Sequence, residues 1–157
     1  MPTPEEYLRS VVRVFPDYAG TVLWFAPGPV DYEDAHLSPE LTLAMRAWEK
    51  LFDEYLSYGA PRSGLDETAW DEEGLRLCRA LADELGNLVG VEYHSAQEGA
   101  KKIVVRGIGN GTNPEARAAF QAMIAESERE EARFEQLKAE GHTFTWTPFK
   151  STEGNAP

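Results

Sequence analysis

The chain has a single cysteine, Cys78, among 157 residues. An internal disulfide and a cysteine-built metal centre are therefore excluded from the outset. Basic residues are also scarce: 15 Lys and Arg stand against 27 Asp and Glu, for a net charge of −12. That balance repels phosphate backbones and gives no attraction to anionic lipid, so neither nucleic acid nor membrane is an expected partner. No apolar run reaches the ~18 residues of a membrane span. Met1 to Phe15 lacks a basic stretch followed by an apolar core, so a secretion signal is not expected and a cytoplasmic location is. Catalytic signatures are missing too, with no GxSxG, no HExxH and no Cys/His pairing around a nucleophile. His36, His94 and His142 lie far apart with no partner at ligand spacing. No residue is assigned as catalytic or metal-binding, and no cofactor is expected.

What the chain does have is apolar content. Hydrophobic residues make up 42% of it, with four Trp, six Tyr and seven Phe, which argues against wholesale disorder. Its length suits a single domain, expected over residues 1–150, with 151–157 as a disordered tail. The most legible stretch runs from Ser38 to Gly59, SPELTLAMRAWEKLFDEYLSYG. Ser38 suits the helix cap, Pro39 the first helical position, and Glu40 the positive end of the dipole. Leu41, Ala44, Met45, Trp48, Leu51, Phe52, Tyr55 and Leu56 fall within roughly 140° of helical arc. Leu43 is the misfit. Gly59 and Pro61 close the helix.

The remaining elements follow from periodicity and punctuation. Thr3 and Glu6 form a capping box for a helix over about residues 4–14, although the β-branched Val11, Val12 and Val14 leave a strand open. Thr21 to Ala26 is a short apolar run suited to a strand buried on both faces. Pro27-Gly28-Pro29 ends it, and Val30 to Leu37 reads as an acidic loop. Thr68 and Asp71 offer a second cap for a helix ending at Gly86, with Cys78 near the middle of its apolar face and expected to be inert. Val89, Val91 and Tyr93 alternate with Gly90 and Glu92, and KKIVVR follows at 101–106, so residues 88–106 read as a hairpin. Asn113 and Pro114 open a long helix running toward Gly141. Its stripe of Ala116, Ala119, Phe120, Met123 and Ile124 is interrupted by Ser127, Glu130 and Glu131 before resuming at Phe134 and Leu137. The helix therefore leaves the core, bends, or meets a partner at the interruption. His142 to Thr147 alternates as a final strand. The sum is an α+β fold of about four helices on a small mixed sheet of about four strands.

Two features invite a chemical reading. Gly107 to Gly111 lies between a strand and a helix N-terminus, where phosphate loops sit. The third glycine position is Thr112, however, no Lys follows, and no acid ends a second strand about 20 residues later. A tight turn fits better, and the alternative is a nucleotide-binding protein or a small carboxylate-dependent enzyme using that turn. Glu130 and Glu131 are the acids to inspect for acid–base work. The other feature is the clustering of acids, taken as candidate partner-binding residues: Asp31, Glu33 and Asp34; Glu67, Asp71 and Glu72 beside Asp66 and Glu73; and Glu126, Glu128, Glu130, Glu131 and Glu135. Such fields steer a basic partner and raise association rates by about 10- to 1,000-fold.

Between Val22 and Tyr93 the chain carries LWF, then LSPEL followed by Ala47-Trp48, then EEGLRL, LADELG and VEY. This pattern resembles a group of small acidic proteins from high-GC bacteria, some of which look like immunity partners of polymorphic toxins. The resemblance brings no catalytic motif and no functional residue with it. It implies a protein-binding module that occludes a partner such as a toxin or nuclease. The charge makes that partner basic, and an acidic mimic of nucleic acid is one version of the same reading.

Overall fold

The computed structural model describes residues 1–17, 19–26, 28–55, 66–95, 97 and 99–143. Helix α1 (Pro4–Leu8) is opened by the reciprocal Thr3–Glu6 capping box, with the Glu6 amide donating to Thr3 Oγ1 at 3.1 Å and the Thr3 amide to Glu6 Oε2 at 2.7 Å. The expected continuation to residue 14 does not occur. Ser10 turns back, its hydroxyl donating to the Tyr7 carbonyl at 2.8 Å, and Val11–Val14 becomes strand β1. Three β-branched side chains within four residues fit a pleated, buried surface better than a helix turn, and the sheet supplies that surface.

Strands β2 (Leu23–Phe25) and β3 (Gly28–Pro29) follow. The expected acidic loop contains a four-residue helix, α2 (Tyr32–Ala35), stopped by His36 in the left-handed region at φ 52°. Helix α3 (Pro39–Tyr55) starts as anticipated, with the Leu41 amide donating to Ser38 Oγ at 3.3 Å. Helix α4 (Glu67–Leu85) is capped by Asp66, which accepts from the Thr68 and Ala69 amides, rather than by Thr68. The helix thus starts two residues earlier than a Thr68 cap would have it, and the orphan amides served are those of Thr68 and Ala69. Strands β4 (Gly90–Tyr93) and β5 (Ile103–Arg106) form the expected antiparallel hairpin, and α5 (Pro114–Ala139) is capped by Asn113. Residues 144–147 of the expected last strand, the tail and the expected end of α3 at Gly59 lie outside the described residues; His142 and Thr143 belong to neither helix nor strand.

The result is an α+β fold with a mixed sheet in the order β3-β2-β1-β4-β5. Strand β1 is central, antiparallel to β2 and parallel to β4. Val12, Val14, Val91 and Tyr93 point from it into a core closed by α3 and α4. Trp48 stacks on Trp70 at 4.3 Å between ring centroids, and its indole N–H donates to the Trp70 carbonyl. Leu43 stays exposed, as its place off the stripe requires, and Leu51, assigned to the stripe, is also exposed. Cys78 is fully buried, and burial pushes its thiol up to about 12. No helix among the described residues is long and apolar enough to cross a membrane.

The glycine-rich turn at 107–111 serves packing. A Cβ on Gly107 would lie 1.9 Å from the Ala82 carbonyl oxygen, and one on Gly86 would meet the backbone of Gly109 and Gly111 at 2.4 Å. The Gly109 carbonyl is already taken by the Asn87 amide and by Arg117. Backbone against backbone cannot yield, so Gly107→Ala is expected to cost about 1–3 kcal/mol or more. A urea-denaturation midpoint equal to wild type would contradict this close approach.

Candidate partner-binding groove

Only Ala116 and Phe120 of α5 are buried outright, with Met123 and Ile124 half-covered beyond them. At Ser127, which is half-buried, the apolar stripe breaks. Between the helix and the β2–β3 turn lies a hollow of about 330 Å³. Phe25, Val30 and Met123 give it an apolar floor, and Asp34, Glu126 and Glu130 an acidic rim. A second hollow of about 160 Å³, bounded by Leu8, Arg9 and Glu131, shares Ala26, Ser127 and Glu130 with the first. The two form one groove along α5. Its base is held stiffly at Ala26, whose positive φ of 51° is fixed from both sides. The Ala26 amide donates to the Leu8 carbonyl at 3.0 Å, and its carbonyl accepts from Arg13 Nη2 at 3.2 Å.

The structure thus brings Asp34 from the first acidic cluster beside Glu126 and Glu130 from the third. Other members of those clusters are engaged within the chain: Glu33 with Arg46, Glu126 also with Arg129, Glu131 with Arg9, and Glu135 with Lys138. Asp31 sits at the N-cap of α2 without a side-chain capping bond, and Glu128 is exposed on α5. The middle cluster lines neither hollow. Asp71 accepts from the Tyr93 and Ser95 hydroxyls, each at 2.6 Å, while Glu67 is half-buried in the first turn of α4 and Glu72 is exposed.

A second polar site was not legible in the sequence. Glu92, assigned by alternation to the outer face of its strand, is only 1% exposed. Its register partner on β1 is Arg13, and the Tyr7 hydroxyl donates to it from α1. His94 Nε2 lies 2.8 Å from its other oxygen and Lys102 Nζ 3.5 Å. Burial alone would push the Glu92 carboxyl up, but Tyr7, His94 and Lys102 together outweigh it and hold it below its ordinary value. Desolvation dominates at His94 and holds the imidazole below its usual range. Because the carboxylate can only accept, the neutral ring carries its proton on Nε2. A lone acid in an apolar strand was the available signal. Among the described residues, no group of three or more His, Cys, Asp and Glu is placed to hold a metal.

Fold and groove define the class: a small mixed α+β domain presenting an open, acidic groove beside its sheet. The particular family is given by residues 10–96, which match the family described as Serratia CdiI immunity protein-like; the chain belongs to that family. No curated protein matches it, and no solved structure does. The matched segment runs from the start of β1 past the end of β4, so it contains the β2–β3 side of the groove but not α5.

Both Glu92 and His94 bind protons less readily in the fold than in the unfolded chain. The stability they contribute is therefore full above their ordinary values of 4.5 and 6.5, and is lost as pH falls through the lowered folded values. In chemical denaturation, the stability difference between wild type and His94→Gln should be constant above about pH 6.5 and move against wild type below it. A difference that is flat across that range would remove His94 from the acid response.

Proposed function

We propose that the protein is an immunity protein that binds a toxin in the cytoplasm and neutralises it. The family match over residues 10–96 carries the reading. The net charge of −12 and the acid-rimmed groove support a reading in which a basic surface of the toxin docks against α5 and the β2–β3 turn. Apolar area in the groove supplies affinity, while the rim charges steer encounter and reject acidic competitors. Neutralisation then needs only that the docked chain cover the toxin's working surface, so no chemistry is asked of this protein. Asp71 plays a different part, accepting from the Tyr93 and Ser95 hydroxyls at the end of β4.

The test is co-expression with the toxin encoded beside it, read as growth protection and as binding of the purified pair. Glu126→Lys combined with Glu130→Lys should weaken binding at least about tenfold, or ~1.4 kcal/mol, and flatten its dependence on salt. Glu72→Lys should leave it unchanged. Protection that survives the double reversal with undiminished affinity would move the interface elsewhere.

A further inference from the structure

We infer that the groove along α5 is built to take the side chain of an arginine presented by the partner, an inference that rests on the binding role proposed above. The chain contains its own precedent. Arg9 forms one wall of the smaller hollow with its side chain only 12% exposed, and its guanidinium donates to Glu131. Leu8, Ala26 and Ser127 line that hollow beside it. One turn back along the helix, the larger hollow repeats the arrangement without the cation. Phe25, Val30 and Met123 offer apolar surface to a stem of methylene groups, and Asp34 and Glu130 stand at the rim. Among the described residues neither Asp34 nor Glu130 has a cationic partner, whereas Glu126 is engaged by Arg129.

Arginine fits this combination better than lysine does. A guanidinium is weakly hydrated, stacks on aromatic and thioether surface, and can donate to two carboxylates at once through its fork. An ammonium is a compact, strongly hydrated charge that gains little from an apolar floor. The volume of about 330 Å³ is at the small end for ligand sites, which run from ~300 to 1,000 Å³, and suits one long side chain. The stiff Ala26 backbone between the hollows means that the site is formed before anything enters it.

The probe is Nα-acetyl-arginine methylamide, titrated into the full ¹⁵N-labelled chain and followed by amide chemical shifts. Three analogues are run beside it: citrulline, which keeps the shape and loses the charge; norleucine, which keeps only the stem; and lysine. Saturable shifts centred on Ala26, Val30, Met123 and Ser127 are expected for arginine alone, weakening as salt is added. Glu130→Gln should weaken arginine binding several-fold. Glu128→Gln, which removes a charge from the same helix but lines neither hollow, should not. Both positions are exposed, so both variants retain the fold, which their unperturbed spectra will verify. Equal binding of citrulline or lysine, shifts spread over every acidic surface, or equal effects of the two variants would each overturn the inference. No toxin enters this experiment, so its failure removes arginine recognition and leaves neutralisation standing. Conversely, loss of growth protection with arginine binding intact would fell only the immunity reading.

Discussion

The Glu84 carboxylate ties three helix ends together, and the arrangement of the domain depends on it. Its Oε2 accepts from the Ser38 amide at the start of α3, at 3.0 Å, and from Asn113 Nδ2 at the start of α5, at 2.9 Å. The same Asn113 donates to the His36 carbonyl and caps its own helix by accepting from the Ala116 amide. Helix starts leave amides without partners, and a negative charge there also meets the positive end of the dipole. One side chain from the last turn of α4 thus fixes where two other helices begin. Arg117 closes the arrangement by donating to the Leu85 carbonyl at the same end of α4. The direction in which α5 leaves the core, and hence the groove beneath it, is set at this knot.

Much of the architecture was legible in the sequence where spacing and punctuation agreed. Helices α3, α4 and α5 announce themselves through apolar stripes and caps, and the hairpin through alternation. Local signals failed where tertiary surroundings decided. Val11 and Val12 satisfy helical spacing from Leu8 as well as they satisfy a strand, and the sheet partners β2 and β4 settle the matter. Helix α2 is a single turn, too short for periodicity to register. Glu92 reads as outward-facing because alternation knows nothing of the Tyr7, His94 and Lys102 side chains that cover it. Of the groove, the break at Ser127 and Glu130 was visible. Its opposite side was not, because Pro27-Gly28-Pro29 reads only as the end of a strand, while Gly28 and Pro29 in fact pair with β2.

The groove joins two parts of the chain with different standing. Its β2–β3 side lies within the segment that matches the immunity protein-like family, and its α5 side lies beyond it. The two sides also differ physically. Strand β2 is buried in the sheet, while α5 past Phe120 is largely exposed and held chiefly by its first turns and by Arg9. Substitutions on the outer half of α5 therefore change the surface without disturbing the core, whereas the apolar floor at Phe25 is constrained by packing on Phe120 at 5.2 Å.

The parallel pairing of β1 with β4 has a bearing on how the chain comes to be made. Val11 lies opposite Gly90, so the middle strand of the sheet is synthesised well before its parallel neighbour. Contacts so distant in sequence must overcome a large loop-closure entropy before they stabilise anything, which slows folding. Until the ribosome has delivered residues 90–93, the edge of β1 that faces β4 has no strand to pair with. The sheet of a nascent chain therefore closes only once β4 can add beside β1.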